Sequence, residues 1–294
     1  MSYSSELQQL LNLKQTQERP VAQATLQKYS EQYRKLTQEI GYDDLFWITK
    51  SNEGGLIKGI KDMNITASGM LGYLNICVMI RLMNDKSIDK LIKYRDELNI
   101  IKNQNTKNNN SVKNEFLPPF TTIKEYINDL YKQNDFVNYL VNELIFLYAL
   151  RNKDINVMII DKDKYKLLIQ QDPIFVKNNN FLIIYKTYCV LIVNNYKTAN
   201  TYGAKKITIR SRRVLNAVNK LGVGWLLLNN KGENPSNIEY YIKLYNGLGE
   251  GDYFKVRVRQ LQDEPNALQE INKLCGYRGS SLETCESYYN IIKK

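Results

Sequence analysis

Apolar positions recur at helical spacing over the first third of the chain. Leu26, Tyr29, Tyr33, Leu36 and Ile40 fall three or four residues apart, which predicts an amphipathic helix over 21–40. Residues 5–18 predict a short polar helix that stops near Pro20. Leu45, Phe46 and Trp47 anchor the next segment. Asn64 is placed to cap a helix running through Met83, and Ser87 a further one to about Ile101. From Asn103 onward no apolar residue occurs before Val112. A stretch that can bury nothing predicts a linker, closed by Leu117-Pro118-Pro119. Thr122-x-x-Glu125 matches a capping box that opens a helix to about Lys132. A long apolar helix over about 135–150 then ends at Arg151.

Beyond Arg151 the period shortens. Val157–Ile160, Phe181–Tyr185, Tyr188–Asn195 and Lys206–Arg210 are β-rich runs, with Tyr196 to Gly203 joining the last two as a hairpin. Helices return at Arg212–Leu221, Ser236–Leu248 (with the box Ser236-x-x-Glu239), Pro265–Leu274 and Ser281–Ile292, the last opened by Ser280-x-x-Glu283. The expected fold is mainly α with a small antiparallel sheet, an α+β arrangement. Its expected divisions are an N-terminal helix at 1–20, a helical domain at 21–103, a linker at 104–118 and a second domain at 119–294.

Composition narrows the chemistry. The chain has 294 residues, 43% of them hydrophobic, enough for two domains with real cores. Its formal charge of +11 suits a polyanionic partner. A lysine-rich composition from an AT-biased genome explains the same charge equally well. There is no histidine, which excludes serine–histidine and cysteine–histidine mechanisms and any histidine-ligated metal. Cys77, Cys189, Cys275 and Cys285 form no C-x-x-C pair and read as free thiols of a reducing compartment. The N-terminus lacks the basic-then-apolar order of a signal peptide. The most apolar stretch, Met70 to Met83, holds Asn75 and Arg81 and is too short to span a bilayer. A soluble intracellular protein without a membrane partner is expected.

Four pieces carry candidate chemistry. Arg151 follows an apolar helix, with Asp154 three positions on. Lys197-Thr198 precedes Gly203-Ala204-Lys205-Lys206-Ile207-Thr208-Ile209 on the hairpin. Arg257 and Arg259 stand in Tyr253-Phe254-Lys255-Val256-Arg257-Val258-Arg259. Gly279-Ser280-Ser281-Leu282-Glu283-Thr284-Cys285-Glu286-Ser287-Tyr288 leads to a tyrosine near the chain end. Taken singly, each has a plain structural explanation: a helix-end arginine, a solvated turn lysine, the polar face of a strand, a packed tyrosine pair. Their order and spacing together resemble the tyrosine recombinase (phage integrase) family over about residues 20–294. In that family a helical core-binding domain precedes a catalytic domain of helices around a small sheet.

The resemblance implies a DNA strand breaking–rejoining enzyme that passes through a 3′-phosphotyrosine intermediate. Tyr288 would be the nucleophile, with Tyr289 in reserve. Arg151 and Arg257 would hold the phosphate, with Arg259 in reserve, and Lys197 would protonate the leaving 5′-oxygen. Two family histidines fall on Phe254 and Gly279, where Lys255 and Arg278 are the neighbouring cations. The span 161–180 reads as an insertion. No metal or other cofactor is implied. The implied partner is double-stranded DNA, bound as a tetramer on paired sites by a protein weakly associated or monomeric when free. Lys205, Lys206, Arg210, Arg212 and Arg213 form a basic run beside the hairpin that would contact its backbone, or equally serve as a solvated face. The biased composition alone suggests a virus or mobile element as source, with the host nucleus or a cytoplasmic viral factory as its place of action. Three other readings stay open: a recombinase-derived DNA-binding protein without activity, a type IB topoisomerase-like enzyme, and a globular protein whose motif is coincidental.

Overall fold

The computed structural model describes residues 5–17, 21, 23–40, 47–235 and 237–289, the last helix in its side chains only through Cys285. The chain divides into two units, Met1–Asn109 and Asn110–Lys294.

The first unit holds α1 (Ser5–Thr16), α2 (Gln23–Ile40), α3 (Trp47–Lys50), α4 (Glu53–Asp62), α5 (Ala67–Met83) and most of α6 (Asp89–Glu115). Helix α5 is apolar nearly all round. Its Leu74, Ile76, Cys77 and Ile80 share one core with Leu36 of α2, Ile60 of α4 and Leu7 and Leu10 of α1. Glu6 is fully buried because its carboxylate is satisfied. It accepts from the Tyr33 hydroxyl (3.2 Å) and from the amides of Ile48 (3.3 Å) and Thr49 (2.8 Å), capping α3 from α1. Thr66 rather than Asn64 caps α5, its hydroxyl accepting from the Gly69 amide at 3.2 Å. Asn64 instead takes a left-handed φ of 47° in the preceding turn. Leu45 and Phe46 lie outside the described residues.

The division between the units falls within the expected linker at 104–118, but that segment is helical rather than irregular. Helix α6 runs without a break to Glu115, through the Asn/Lys/Gln run. Absence of an apolar stripe forbids burial but does not by itself forbid a helix, although the many Asn residues here are poor helix formers. The side chains over 101–105 are accordingly exposed.

The second unit begins with α7 (Phe120–Lys132) and α8 (Phe136–Tyr148), then a 3-10 turn at Asn152–Ile155. There follow β1 (Val157–Asp161), α9 (Lys162–Gln171), α10 (Pro173–Asn178), β2 (Asn180–Ile184), β3 (Cys189–Val193), α11 (Ala199–Tyr202), β4 (Lys205–Ile209), α12 (Arg212–Leu221) and β5 (Gly224–Trp225). Two short 3-10 turns lead to α13 (Glu250–Leu261), α14 (Ala267–Arg278) and α15 (Leu282–Tyr289). The unit is α+β, and its five-stranded sheet has the order β4-β3-β2-β1-β5. Strands β3 and β4 pair antiparallel, so the expected hairpin is present. The sheet as a whole is mixed rather than antiparallel, because β1 and β2 run parallel. A parallel pair needs a crossover, and α9 and α10 supply it from the span that reads as an insertion. Alternate residues sort to opposite faces. Ile159, Leu182, Leu191 and Ile207 belong to the core built on α8, while Ile160, Phe181, Ile183 and Val190 lie with Tyr165, Leu168 and Phe175 of α9 and α10.

Three further boundaries differ from expectation. Helix α7 opens at Phe120 after Pro119, leaving Thr122 inside it. The segment expected as a helix from Ser236 to Leu248 forms two 3-10 turns at Ile238–Tyr241 and Tyr245–Gly247, broken by left-handed Asn246 and Gly247; Ser236 lies outside the described residues. The Arg-Val-Arg stretch is helical, not a strand, opened by the acidic first turn of Glu250 and Asp252. Among the described residues no helix is long and apolar enough to cross a membrane.

Candidate active site

Helix α8 ends at Ala149, which takes a left-handed φ of 50° and turns the chain outward. Arg151 follows in extended conformation. Its amide donates to Asp154 Oδ2 (3.2 Å), and the Asp154 amide donates back to the Arg151 carbonyl (2.9 Å). The Arg151/Asp154 pair is thus tied through the backbone. Asp154 is fully buried, and burial raises its pKa against the lowering pull of that amide and of Lys205 and Arg151.

The Arg151 side chain reaches the far end of the sequence. Its Nη2 donates to Ser280 Oγ at 3.1 Å. Ser280 is free to accept because Ser281 is the residue that caps α15, taking the Thr284 amide on its hydroxyl at 3.1 Å. The box expected from Ser280 is therefore displaced by one residue, and its serine serves Arg151. Between α14 and Ser280 stands Gly279, at φ +67°. Its carbonyl accepts from Thr198 Oγ1 at 2.8 Å. Lys205 Nζ donates to the Tyr277 carbonyl at 2.8 Å and lies 3.5 Å from the centre of the Tyr196 ring. The Tyr196 hydroxyl donates to the Gly203 carbonyl at 2.7 Å, closing the hairpin loop. Three segments distant in sequence meet here: the loop after α8, the β3–β4 hairpin, and the turn that launches α15.

Electrostatically the cluster is cationic and incomplete. Burial, and then the charges of Arg151 and Arg278 against the opposing pull of Asp154, lower Lys205 from the ordinary 10.5 to about 8. Arg151 Nη1 and Asp154 Oδ1 are buried and without a partner among the described residues. An unsatisfied buried donor costs roughly 1–3 kcal/mol, which an anion's oxygen would offset.

The other residues singled out by sequence fall as follows. Lys197 is exposed in the hairpin loop, and Lys205 is the hairpin lysine that joins Arg151. Arg257 is half-buried on α13, bonded to Gln260 Oε1 and stacked 5.4 Å from the Phe120 ring centre. Among the described residues no hydrogen bond joins it to Arg151. Arg259, about 200° further round the same helix, is exposed. Lys255 is buried and ion-paired to Asp252 at 3.8 Å. Phe254 is buried in an apolar cluster with Leu274 and Cys285. Tyr288 and Tyr289 close α15; their side chains lie outside the described residues. Lys206, Arg210 and Arg212 are exposed beside the hairpin, and Arg213 donates to Asn128 Oδ1 at 2.7 Å.

Sequence reasoning overlooked Ser280, Thr198 and Glu250 as site residues. Glu250 was findable: an acidic pair after Gly249, followed by apolar Tyr253, Val256 and Leu261, signals a helix start. Gly279 gives a direct test of the packing. A Cβ there would lie 2.7 Å from Thr198 Oγ1 and Tyr196 Cε2 and 3.0 Å from Lys205 Nζ. Gly279→Ala is expected to destabilise the protein by about 1–3 kcal/mol, read as a lower midpoint in denaturant unfolding. No family model, curated protein or solved structure matches this chain.

Proposed function

We propose that this protein cuts and rejoins DNA by transesterification, with Tyr288 as nucleophile. The observation that carries the reading is the convergence of Arg151, Lys205 and Ser280 at the turn that begins the helix bearing Tyr288. A phosphodiester under attack develops negative charge on its non-bridging oxygens. Arg151 offers a planar donor set with one nitrogen unmatched among the described residues. Arg257 is the second arginine of this reading, its Nε buried and without a partner among the described residues.

In the forward step the Tyr288 oxygen bonds to phosphorus and the bond to the 5′-oxygen breaks. The tyrosine proton is lost to solvent, and the leaving 5′-oxygen takes one from the hairpin lysine. Lys205 fits that role better than Lys197, because it sits in the cluster and titrates close to neutrality. Rejoining is the reverse. Lys206, Arg210 and Arg212 would hold phosphates alongside, and the helical first unit would grip the duplex. Strand exchange between paired sites, as in an integrase, is the activity this chemistry would serve; a tetramer on DNA is its expected form.

A second reading has its own observation. The position that aligns with a family histidine is Phe254, buried at 1% exposure and unable to carry a proton. A DNA-binding protein without activity would look the same there. A nicked duplex that loses its short 5′-hydroxyl fragment after cleavage separates the two. The strand-cutting reading expects a covalent protein–DNA adduct in metal-free buffer. Binding that weakens with salt, without adduct, would favour the binder.

A further inference from the structure

Arg278 and Glu250 form an ion pair (2.9 Å) whose other atoms both serve the backbone around Arg151. Arg278 Nη1 donates to the carbonyl of Ala149 at 3.3 Å. Glu250 Oε2 accepts from the amide of Asn152. These are among the groups that the end of α8 and the start of the next turn leave without helical partners. One ion pair therefore takes hold of the chain just before Arg151 and just after it.

We propose that the Arg278–Glu250 pair is a positioning device for Arg151. It rests on reading Arg151 as the group that meets the substrate anion, not on whether DNA is cut. Three features support it. The pair is secluded, with side-chain exposures of 4% for Arg278 and 22% for Glu250, and Arg278 lies over the Phe254 ring at 5.1 Å. A secluded ion pair is a poor source of stability, since desolvation offsets its attraction, so its worth lies in fixing one arrangement. The geometry needs a fork: one guanidinium meets a carbonyl and a carboxylate together, which an ammonium matches poorly. Finally, Arg278 directly precedes Gly279-Ser280, and Ser280 takes the tip of Arg151. The backbone and the side-chain end of Arg151 are thus fixed from the same turn, and Thr198 of the hairpin loop fixes that turn in its place. Arg278, which the sequence offers as an electrostatic stand-in near the phosphate, acts here at one remove.

Hydrogen exchange tests this without any activity. In Glu250→Gln one of the two oxygens that separately serve Arg278 and Asn152 becomes a donor NH2, so the present geometry loses one acceptor. The amides of Arg151 and Asn152 are expected to exchange about tenfold faster or more, while those of β3 keep their protection. Unchanged exchange at Asn152, or a loss spread evenly over the whole second unit, would overturn the proposal. Arg278→Lys serves as the second variant: it keeps Glu250 on Asn152 but gives up the fork, so Asn152 should stay protected while Arg151 loosens. If the wild-type protein forms the DNA adduct, a double-mutant cycle adds a functional readout. Glu250→Gln should slow attachment in the wild-type background and have little further effect in Arg151→Ala, because both act through one guanidinium. Full additivity would sink the positioning role. Absence of any adduct would count against strand cutting and leave the exchange result to decide this proposal.

Discussion

Arg151→Ala is expected to slow covalent attachment to a nicked duplex by about 10²–10³-fold, the usual loss for one fixed donor to a developing oxyanion. Equilibrium binding of the same duplex should weaken far less, since many phosphate contacts share that term. The expectation follows from placement. Arg151 is held at its amide by Asp154 and at its tip by Ser280, with Nη1 buried and lacking an acceptor among the described residues. A group fixed in this way adds most where charge appears late, in the transition state, and least to ground-state affinity. Arg259→Ala is the matched control. Arg259 is exposed on the other side of α13, and its loss should leave the attachment rate within a few-fold. Equal losses in binding and attachment for Arg151→Ala would move this arginine from catalysis to simple DNA contact.

Lys205→Ala is expected to slow cleavage by about 10²–10⁴-fold, the range for a positioned general acid, while Lys197→Ala stays near wild type. The chemistry provides a rescue. Replacing the bridging 5′-oxygen of the scissile ester by sulfur makes a leaving group that needs no proton, so Lys205→Ala should regain most of its rate on that substrate. Failure of the sulfur to rescue would remove the acid role. The pH profile follows from the lowered pKa of about 8. Lys205 carries its proton below that value and loses it above, so cleavage of the oxygen ester should fall as pH rises through about 8, with the sulfur ester unaffected. Stability should move the other way. The folded value lies below the ordinary 10.5 because folding favours the neutral amine, so this group lends stability as pH climbs from about 8 towards 10.5.

Much of the architecture is legible in the residues. The 3.6-residue period of Leu26 to Ile40 and the apolar run into Arg151 are helices, and β-branched runs at 157–160 and 188–195 fall on strands. What escaped was governed by features that local pattern does not encode. The parallel pairing of β1 and β2 depends on a crossover through α9 and α10, whereas strand composition alone cannot fix direction. The polar run of α6 has no face to bury and is rich in Asn, so neither its pattern nor its propensity points to the helical backbone it adopts.

At the candidate site, segments singled out in the sequence meet, though not always through the residues first named. Lys197 and Lys205 lie on the same hairpin, yet only Lys205 turns towards Tyr277 and Tyr196; the loop between them, closed by the Tyr196–Gly203 hydrogen bond, decides this. Ser280 and Ser281 are adjacent and chemically alike, and which one caps α15 is settled by left-handed Gly279 before them. Glu250 became visible only when its oxygens were traced to Asn152 and Arg278.

The site of DNA attachment on the protein is the most direct test of strand cutting by Tyr288. Wild-type protein incubated with the nicked duplex, digested with protease and nuclease and sequenced by mass spectrometry, should carry a 3′-nucleotide phosphate on the peptide containing Tyr288, and Tyr288→Phe should carry none. A nucleotide found on any other residue, or none found under conditions where the duplex is bound, would contradict it.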